Sequence, residues 1–295
     1  MSESDRVRRL LFKLPYSRSA ASRFVAGDGH DDALAVAAEL NRQGFRVTLD
    51  LLGESVSERS EAEAAAAEYA DSLELIEQSS ASTTISLKLT QLGLDIDTEF
   101  CADNLKRIVG RADELGNFVR IDMEDSAYTE RTLQIFYEVF QEHGNVGIVI
   151  QSYLRRSEAD VSRLIELGAS VRLCKGAYKE PSSVAFQDRA EVDASYVRLM
   201  KMLFDGGVPT AIATHDERMI EATRDYAGSS GIPQDAYEFQ MLYGVRRRLQ
   251  RELAADGLPV RIYLPYGSQW YSYFMRRMAE RPANLLFVLR AALGD

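Results

Sequence analysis

The chain has 295 residues, 46 % of them hydrophobic and 27 % charged, which is enough apolar material for a sizeable core in an ordinary globular protein. Lys plus Arg number 35 against 45 Asp plus Glu, and the net charge of −10 argues against a nucleic-acid partner, because polyanions select clustered cations. That acidity still permits a local basic pocket for one small carboxylate. Two cysteines, Cys101 and Cys174, cannot build a disulfide framework and are expected to be buried small hydrophobes.

From the N-terminus, Arg6 to Leu14 mixes basic with apolar residues. Lys13 and Pro15 interrupt the apolar run, so it is too short for a signal-peptide core and reads as an amphipathic helix. No apolar stretch reaches the roughly 18 residues of a membrane span, and a cytoplasmic protein is the expectation. Residues 1–42 precede the first strand and are expected to form a helical segment capping the rest.

Short apolar, β-branched segments then recur at 45–52, 84–90, 118–123, 146–152, 170–175, 208–214, 237–242 and 260–264. Helical periodicity fills the gaps, clearest at 62–76, 129–140, 158–167 and 192–204. Gly44, Gly116, Gly144, Gly168 and the Gly206-Gly207 pair stand just before strands, as helix C-caps should. Strands alternating with helices imply a parallel sheet with right-handed crossovers. Eight such units predict an α/β fold, a (β/α)8 TIM-like barrel, as one domain over 1–295. Its expected additions are the N-terminal helices and a final helix over the barrel mouth. A Rossmann site is excluded. Its only candidate, Ala26-Gly-Asp-Gly-His-Asp-Asp32, has no third glycine and no preceding strand.

Barrels of this kind do their chemistry at the C-terminal ends of the strands. Those ends carry Lys88, Asp122, Gln151, Arg172 with Lys175, Thr214 with His215, Leu242 and Tyr263. Polar residues at six of eight ends point to one functional mouth. In the helix after strand eight, Tyr271, Phe274, Met275 and Met278 form one apolar stripe, while Tyr273, Arg276, Arg277 and Glu280 share another face. That second face is either solvated or turned over the mouth. Adjacent guanidinium groups one turn from a tyrosine would suit a carboxylate carrying an apolar ring. A lysine-based Schiff-base barrel using Lys88 or Lys175 is the rival enzyme class. His30, His143 and His215 do not cluster and no HExxH or CxxC pattern occurs, so no metal site is expected.

These residues resemble a known family. Arg172-Leu-Cys-Lys-Gly-Ala-Tyr178 is similar to the strand-five motif of proline dehydrogenases, as are Ala213-Thr-His-Asp216, Tyr237-Glu-Phe-Gln-Met-Leu242 and Arg261-Ile-Tyr-Leu-Pro265 to strands six to eight. Ser86-Leu-Lys88, Arg120-Ile-Asp122-Met-Glu and Ile150-Gln151-Ser-Tyr match strands two to four, and Tyr273-x-x-Arg276-Arg277-x-x-Glu280 the last helix. Cys174 stands where valine is common in the family, and Asp216 where asparagine is frequent. The length resembles the short monofunctional bacterial enzymes.

The resemblance implies oxidation of L-proline to Δ1-pyrroline-5-carboxylate with FAD, and electrons passed to a membrane quinone. It also implies a peripheral place at the inner face of the cytoplasmic membrane and a separate pyrroline-5-carboxylate dehydrogenase to take the product. By position, Lys88, Arg276 and Arg277 would hold the substrate carboxylate, and Leu242, Tyr263 and Tyr273 would surround the ring. Asp122 and Arg172 would be catalytic. Arg172 and Gln151 would lie against the flavin, with Met123, Lys175, Gly176, Ala177, Thr214, His215 and Glu280 completing its site.

Overall fold

The computed structural model describes residues 22–270 and residue 273. Eight parallel strands close a barrel in sequence order: β1 (Arg46–Leu51), β2 (Thr83–Leu87), β3 (Val119–Ile121), β4 (Val146–Gln151), β5 (Ser170–Cys174), β6 (Thr210–Ala213), β7 (Tyr237–Leu242) and β8 (Val260–Tyr266). The strand β8 returns to pair with β1, from Arg46↔Arg261 to Leu51↔Tyr266. The helices α2 (Arg59–Gln78), α3 (Thr98–Glu114), α4 (Ser126–Glu142), α5 (Ser157–Glu166), α6 (Arg189–Asp205), α7 (Glu217–Ser229) and α8 (Arg247–Ala255) each follow one strand in turn. All eight expected strands form.

The seat between β8 and β1 is filled from the other side of the sequence, by α1 (His30–Arg42). At one end of α1, His30 Nε2 lies 2.7 Å from Ser72 Oγ on α2, which is 2.9 Å from the Tyr266 hydroxyl at the finish of β8. At the other end, Asn41 Nδ2 donates to the Phe45 carbonyl at 3.0 Å, just before β1 begins. The helix therefore lies antiparallel along the wall, burying Ala33 and Ala37, so this part of the expected capping segment does not cap an end, while residues 1–21, with the expected amphipathic helix, lie outside the described residues. With α1 the ring has eight helices among the described residues.

Strand alternation divides the barrel into two chemistries. Val47, Leu49, Ile85, Val171, Phe239 and Ile262 point outward and pack against the helices, in a continuous core that is nearly free of solvent contact. Their neighbours Thr48, Asp50, Ser86, Arg120, Arg172 and Gln240 point inward and are just as buried. A polar interior is tolerable only when its groups are partnered. Thr48 Oγ1 meets Ser86 Oγ at 3.1 Å, Arg120 donates to the Ser170 carbonyl at 2.7 Å, and Arg261 donates to Glu238 at 2.6 Å.

Seven of the eight strands differ from the sequence reading at one end or both, and three of these differences have a clear local reason. The strand β2 stops at Leu87 because a 3-10 turn, Leu89–Leu92, takes over after the extended Lys88. The strand β6 starts at Thr210 because the preceding Pro209 has no N–H for a ladder. The strand β8 runs on through Pro265, where only an acceptor is needed: Ala26 N–H donates to the Pro265 carbonyl at 2.8 Å. Of the expected glycine caps, Gly44, Gly116, Gly168 and Gly207 adopt left-handed backbone, whereas Gly144 does not, since α4 ends in extended backbone at His143.

Candidate active site

The inward residues at the C-terminal ends of β1, β2, β3, β5 and β8 form one hydrogen-bonded cluster. Asp122, just past β3, is its hub. Arg172 Nη1 donates to Asp122 Oδ1 at 2.7 Å, and the Tyr263 hydroxyl donates to Oδ2 at 2.6 Å. Arg172 Nη2 donates to Ser86 Oγ at 3.0 Å, and its guanidinium carbon stands 5.3 Å from the Tyr263 ring centroid. Burial and the neighbouring carboxylates push the Tyr263 phenol well above its usual range, so it remains a proton donor to Asp122.

Lys88 reaches the cluster from β2, between β1 and β3. Its ammonium donates to Asp50 Oδ1 at 3.1 Å and stands 3.9 Å from Asp122 Oδ2. Burial alone would lower the Lys88 pKa, but Asp50 and Asp122 outweigh it and hold the group above its ordinary value. Burial pushes the Asp50 carboxyl up, against the pull of Lys88. Two cations thus face two carboxylates.

The remaining expected site residues ring this cluster. Gln151 closes β4, buried, with Nε2 donating to the Met123 carbonyl at 3.4 Å. The Thr214 amide donates to the Gln240 carbonyl at 3.2 Å, and Thr214 Oγ1 accepts the Asp216 amide at 3.1 Å. His215 Nε2 accepts the Leu242 amide at 3.0 Å, which places the ring proton on Nδ1 and ties the ends of β6 and β7 together. Gly176 and Ala177 follow β5 in a loop, Gly176 with left-handed backbone against the Tyr153 ring.

Lys175 stands apart. Its ammonium donates to Asp193 on α6 and, at 2.7 Å, to Asp216. Asp216 also caps α7 by accepting the Arg218 amide at 3.1 Å, a task that asparagine performs equally well. Neither lysine is arranged as the neutral amine a Schiff-base mechanism needs: one is held charged by its carboxylate neighbours against the effect of burial, the other is paired to two carboxylates.

Tyr273 packs with Phe24, Val25, Leu52 and Trp270 in a small apolar cluster beside the end of β8. Arg276, Arg277 and Glu280 lie outside the described residues, as does the rest of the expected final helix. Three polar residues of the site were given no role from the sequence: Asp50, and Ser86 and Glu124, which were read only as parts of motifs. Glu124 is buried, accepts from Thr90 Oγ1 at 2.6 Å and from the Thr90 amide at 3.3 Å, and has its pKa pushed up by burial. The available signal was a single acid inside an apolar strand (Asp50) and an acid two residues after another (Glu124).

The family model for proline dehydrogenase matches residues 33–290. The chain belongs to the proline dehydrogenase family. Proline dehydrogenase 1 of Bacillus subtilis subsp. natto is 42 % identical over 277 residues, 94 % of this chain and 92 % of the relative. Proline dehydrogenase of Deinococcus radiodurans is 43 % identical over 282 residues, 92 % of this chain and 90 % of the relative. A crystal structure of proline utilization A from Bdellovibrio bacteriovorus, inactivated by N-propargylglycine, superposes with a TM-score of 0.84 at 28 % identity. It covers 90 % of this chain and 33 % of that one. Among proline dehydrogenases the length of this chain is thus close to that of the monofunctional relatives. No helix among the described residues is long and apolar enough to cross a membrane.

Proposed function

We propose that this chain oxidises L-proline to Δ1-pyrroline-5-carboxylate at the C-terminal mouth of the barrel, with FAD as the hydride acceptor and a quinone as the final electron acceptor. The observation carrying this reading is the buried Asp122–Arg172–Tyr263–Lys88 cluster in a chain of this family. A flavin fits the donor set beside that cluster. Buried Arg172 Nε and Gln151 Oε1 have no partner among the described residues, offering one N–H and one carbonyl to a flat heterocycle that carries both acceptors and a donor. Arg172, Gln151, Met123, Gly176, Ala177, Thr214 and His215 would hold it, with Glu280 and the Lys175 backbone at its margins. FAD supplies the two-electron chemistry when bound.

The protein's own residues bind and orient proline. Lys88, Arg276 and Arg277 take its carboxylate, and Leu242, Tyr263 and Tyr273 take its ring. Losing a hydride from the carbon next to nitrogen requires the amine to be neutral, whereas free proline carries a protonated one. The charge balance of the site works in that direction. Lys88 and Arg172 are already balanced by Asp50 and Asp122. Adding one substrate carboxylate and two arginines leaves an excess positive charge, which disfavours a further proton on the amine. Asp122 holds Arg172 and Tyr263 at fixed positions, so that the guanidinium can stabilise negative charge accumulating beside it.

An absorption spectrum tests the proposal. The purified protein should be yellow, should bleach with anaerobic proline, and should regain colour when a soluble quinone is added. A colourless protein that cannot be reconstituted with FAD would overturn it. Colour returning only with oxygen would overturn the quinone assignment alone.

A further inference from the structure

Resting on that reading of the site, we propose that Asp50 is a positioning residue for Lys88: it holds the ammonium on the β1 side of the mouth, facing the substrate carboxylate, and so leaves Asp122 free for Arg172 and Tyr263.

The barrel order puts Lys88 in a specific predicament. It rises from β2 between two aspartates, Asp50 on β1 and Asp122 just beyond β3, and either could hold its ammonium. The structure shows the choice made. Nζ is 3.1 Å from Asp50 Oδ1 but 3.9 Å from Asp122 Oδ2, beyond hydrogen-bond range. Asp122 is already committed on both oxygens, to Arg172 at 2.7 Å and to Tyr263 at 2.6 Å. The Asp50 residue is 1 % exposed and the Lys88 side chain 13 %, so bulk water screens neither partner and cannot replace Asp50 as counter-charge.

Remove the Asp50 charge, and the nearest remaining carboxylate for Lys88 is Asp122. The ammonium would move toward Oδ2, compete with the Tyr263 hydroxyl and turn away from the mouth. Asp50 thus acts through Lys88, without touching substrate.

The test is a double-mutant cycle on the flavin-loaded enzyme with Asp50→Asn, Lys88→Met and both together. Two quantities are read. One is the KM and kcat for proline. The other is the dissociation constant of oxolane-2-carboxylate, proline with its NH replaced by oxygen, followed by its perturbation of the visible flavin spectrum. Asp50→Asn should raise KM and that dissociation constant by at least about tenfold, kcat falling by a smaller factor. In the Lys88→Met background the same change should add less than about twofold, because the group Asp50 positions is gone. Wild-type KM and analogue affinity in Asp50→Asn, or a full tenfold effect persisting without Lys88, would overturn the proposal. Should Asp50→Asn alone fail to fold, the double variant, which removes both charges, is compared with Lys88→Met and decides between the same two outcomes. A wild-type enzyme that does not oxidise proline would sink the functional reading itself, a result separate from any of these.

Discussion

The phenol of Tyr263 on β8 donates to Asp122 Oδ2 at 2.6 Å, joining residues 141 positions apart in the chain. The same ring stands over the Arg172 guanidinium, whose Nη1 donates to the other oxygen of Asp122. One tyrosine therefore fixes a carboxylate by its hydroxyl and a cation by its face.

Those two contributions can be separated with Tyr263→Phe, which keeps the ring and loses the donor. A hydrogen bond to a charged acceptor is worth about 1.5–3 kcal/mol, so kcat/KM for proline should fall by roughly 10- to 150-fold. Flavin content should stay at the wild-type level, since the aromatic contact with Arg172 remains. Steady-state kinetics together with the visible spectrum check both halves. Unchanged kcat/KM would show that Asp122 needs no help from this hydroxyl.

Acid sensitivity should trace in part to Glu238, at the opposite end of the barrel interior. Burial would raise its pKa, yet Arg261, with further donors from Gln240 and Arg46, holds it down at about 2 from an ordinary 4.5. A depressed carboxylate contributes stability that is complete above its unfolded pKa and disappears as pH falls through the folded one. The window is therefore pH 4.5 down to about 2, and the contribution is on the order of 3 kcal/mol. Asp50 and Glu124, both raised, have the opposite sign: the cost of burying their charges is relieved as pH falls toward their unfolded values, 3.8 and 4.5, and so largely before this window is entered. Glu238→Gln should be less stable than wild type at neutral pH and should show a flatter decline between pH 4.5 and 2.5 in urea titrations. Parallel declines for the two proteins would remove Glu238 from this role.

How much of this was legible beforehand depends on which face of a strand is considered. The apolar, β-branched run at 45–52 located β1 to within a residue at each end, and similar runs located the other seven strands; within it Val47, Leu49 and Leu51 recur at period two. The intervening Thr48 and Asp50 carry the opposite message only when the closed barrel is known, because alternating polar residues look the same whether they face solvent or a polar interior. Arg120, Ser86 and Asp50 were for this reason invisible as interior groups. Lys88, Asp122 and Arg172 were legible because they sit at or near strand ends, where a barrel places its chemistry. Their partners were not. Lys88 pairs with Asp50 between neighbouring strands, and Asp122 with Tyr263 across the barrel interior from β3 to β8; both pairs join residues far apart in sequence. The placement of α1 along the wall was likewise unreadable, since nothing in its periodicity says which pair of strands it will cover.

The loop after β5 offers a sharper structural test. Gly176 has a φ of +104°, and a Cβ added there would fall 2.2 Å from Cδ1 of the Tyr153 ring. Gly176→Ala combines left-handed strain with a collision against a ring that is itself largely buried. It should cost about 1–3 kcal/mol, or a melting temperature several degrees lower. It should also weaken FAD retention, because Gly176 and Ala177 would be displaced together. Calorimetry and flavin content after gel filtration measure the two effects. A stable variant with normal flavin would mean that the loop adjusts without cost and takes no part in holding FAD.

Both cysteines should be chemically silent while the protein is folded. Burial pushes the Cys101 thiol up to about 12, where it donates to the Leu89 carbonyl at 3.4 Å beneath α3. Cys174 is likewise pushed up to about 12, first by burial and then by the negative charge of Asp122 nearby in the barrel interior. At pH 8 such a thiol is ionised to about one part in ten thousand, and the thiolate is the only reactive form. Neither cysteine should therefore be labelled by iodoacetamide within an hour at pH 8, and both should react in guanidinium chloride; intact-mass spectrometry counts the adducts. The two sites differ in one respect. Cys174 sits on the inner face at the end of β5, next to the proposed proline pocket, so any labelling of the folded protein should begin there and should be suppressed by saturating proline. Preferential labelling of Cys101 would contradict the packing of α3 against the turn after β2.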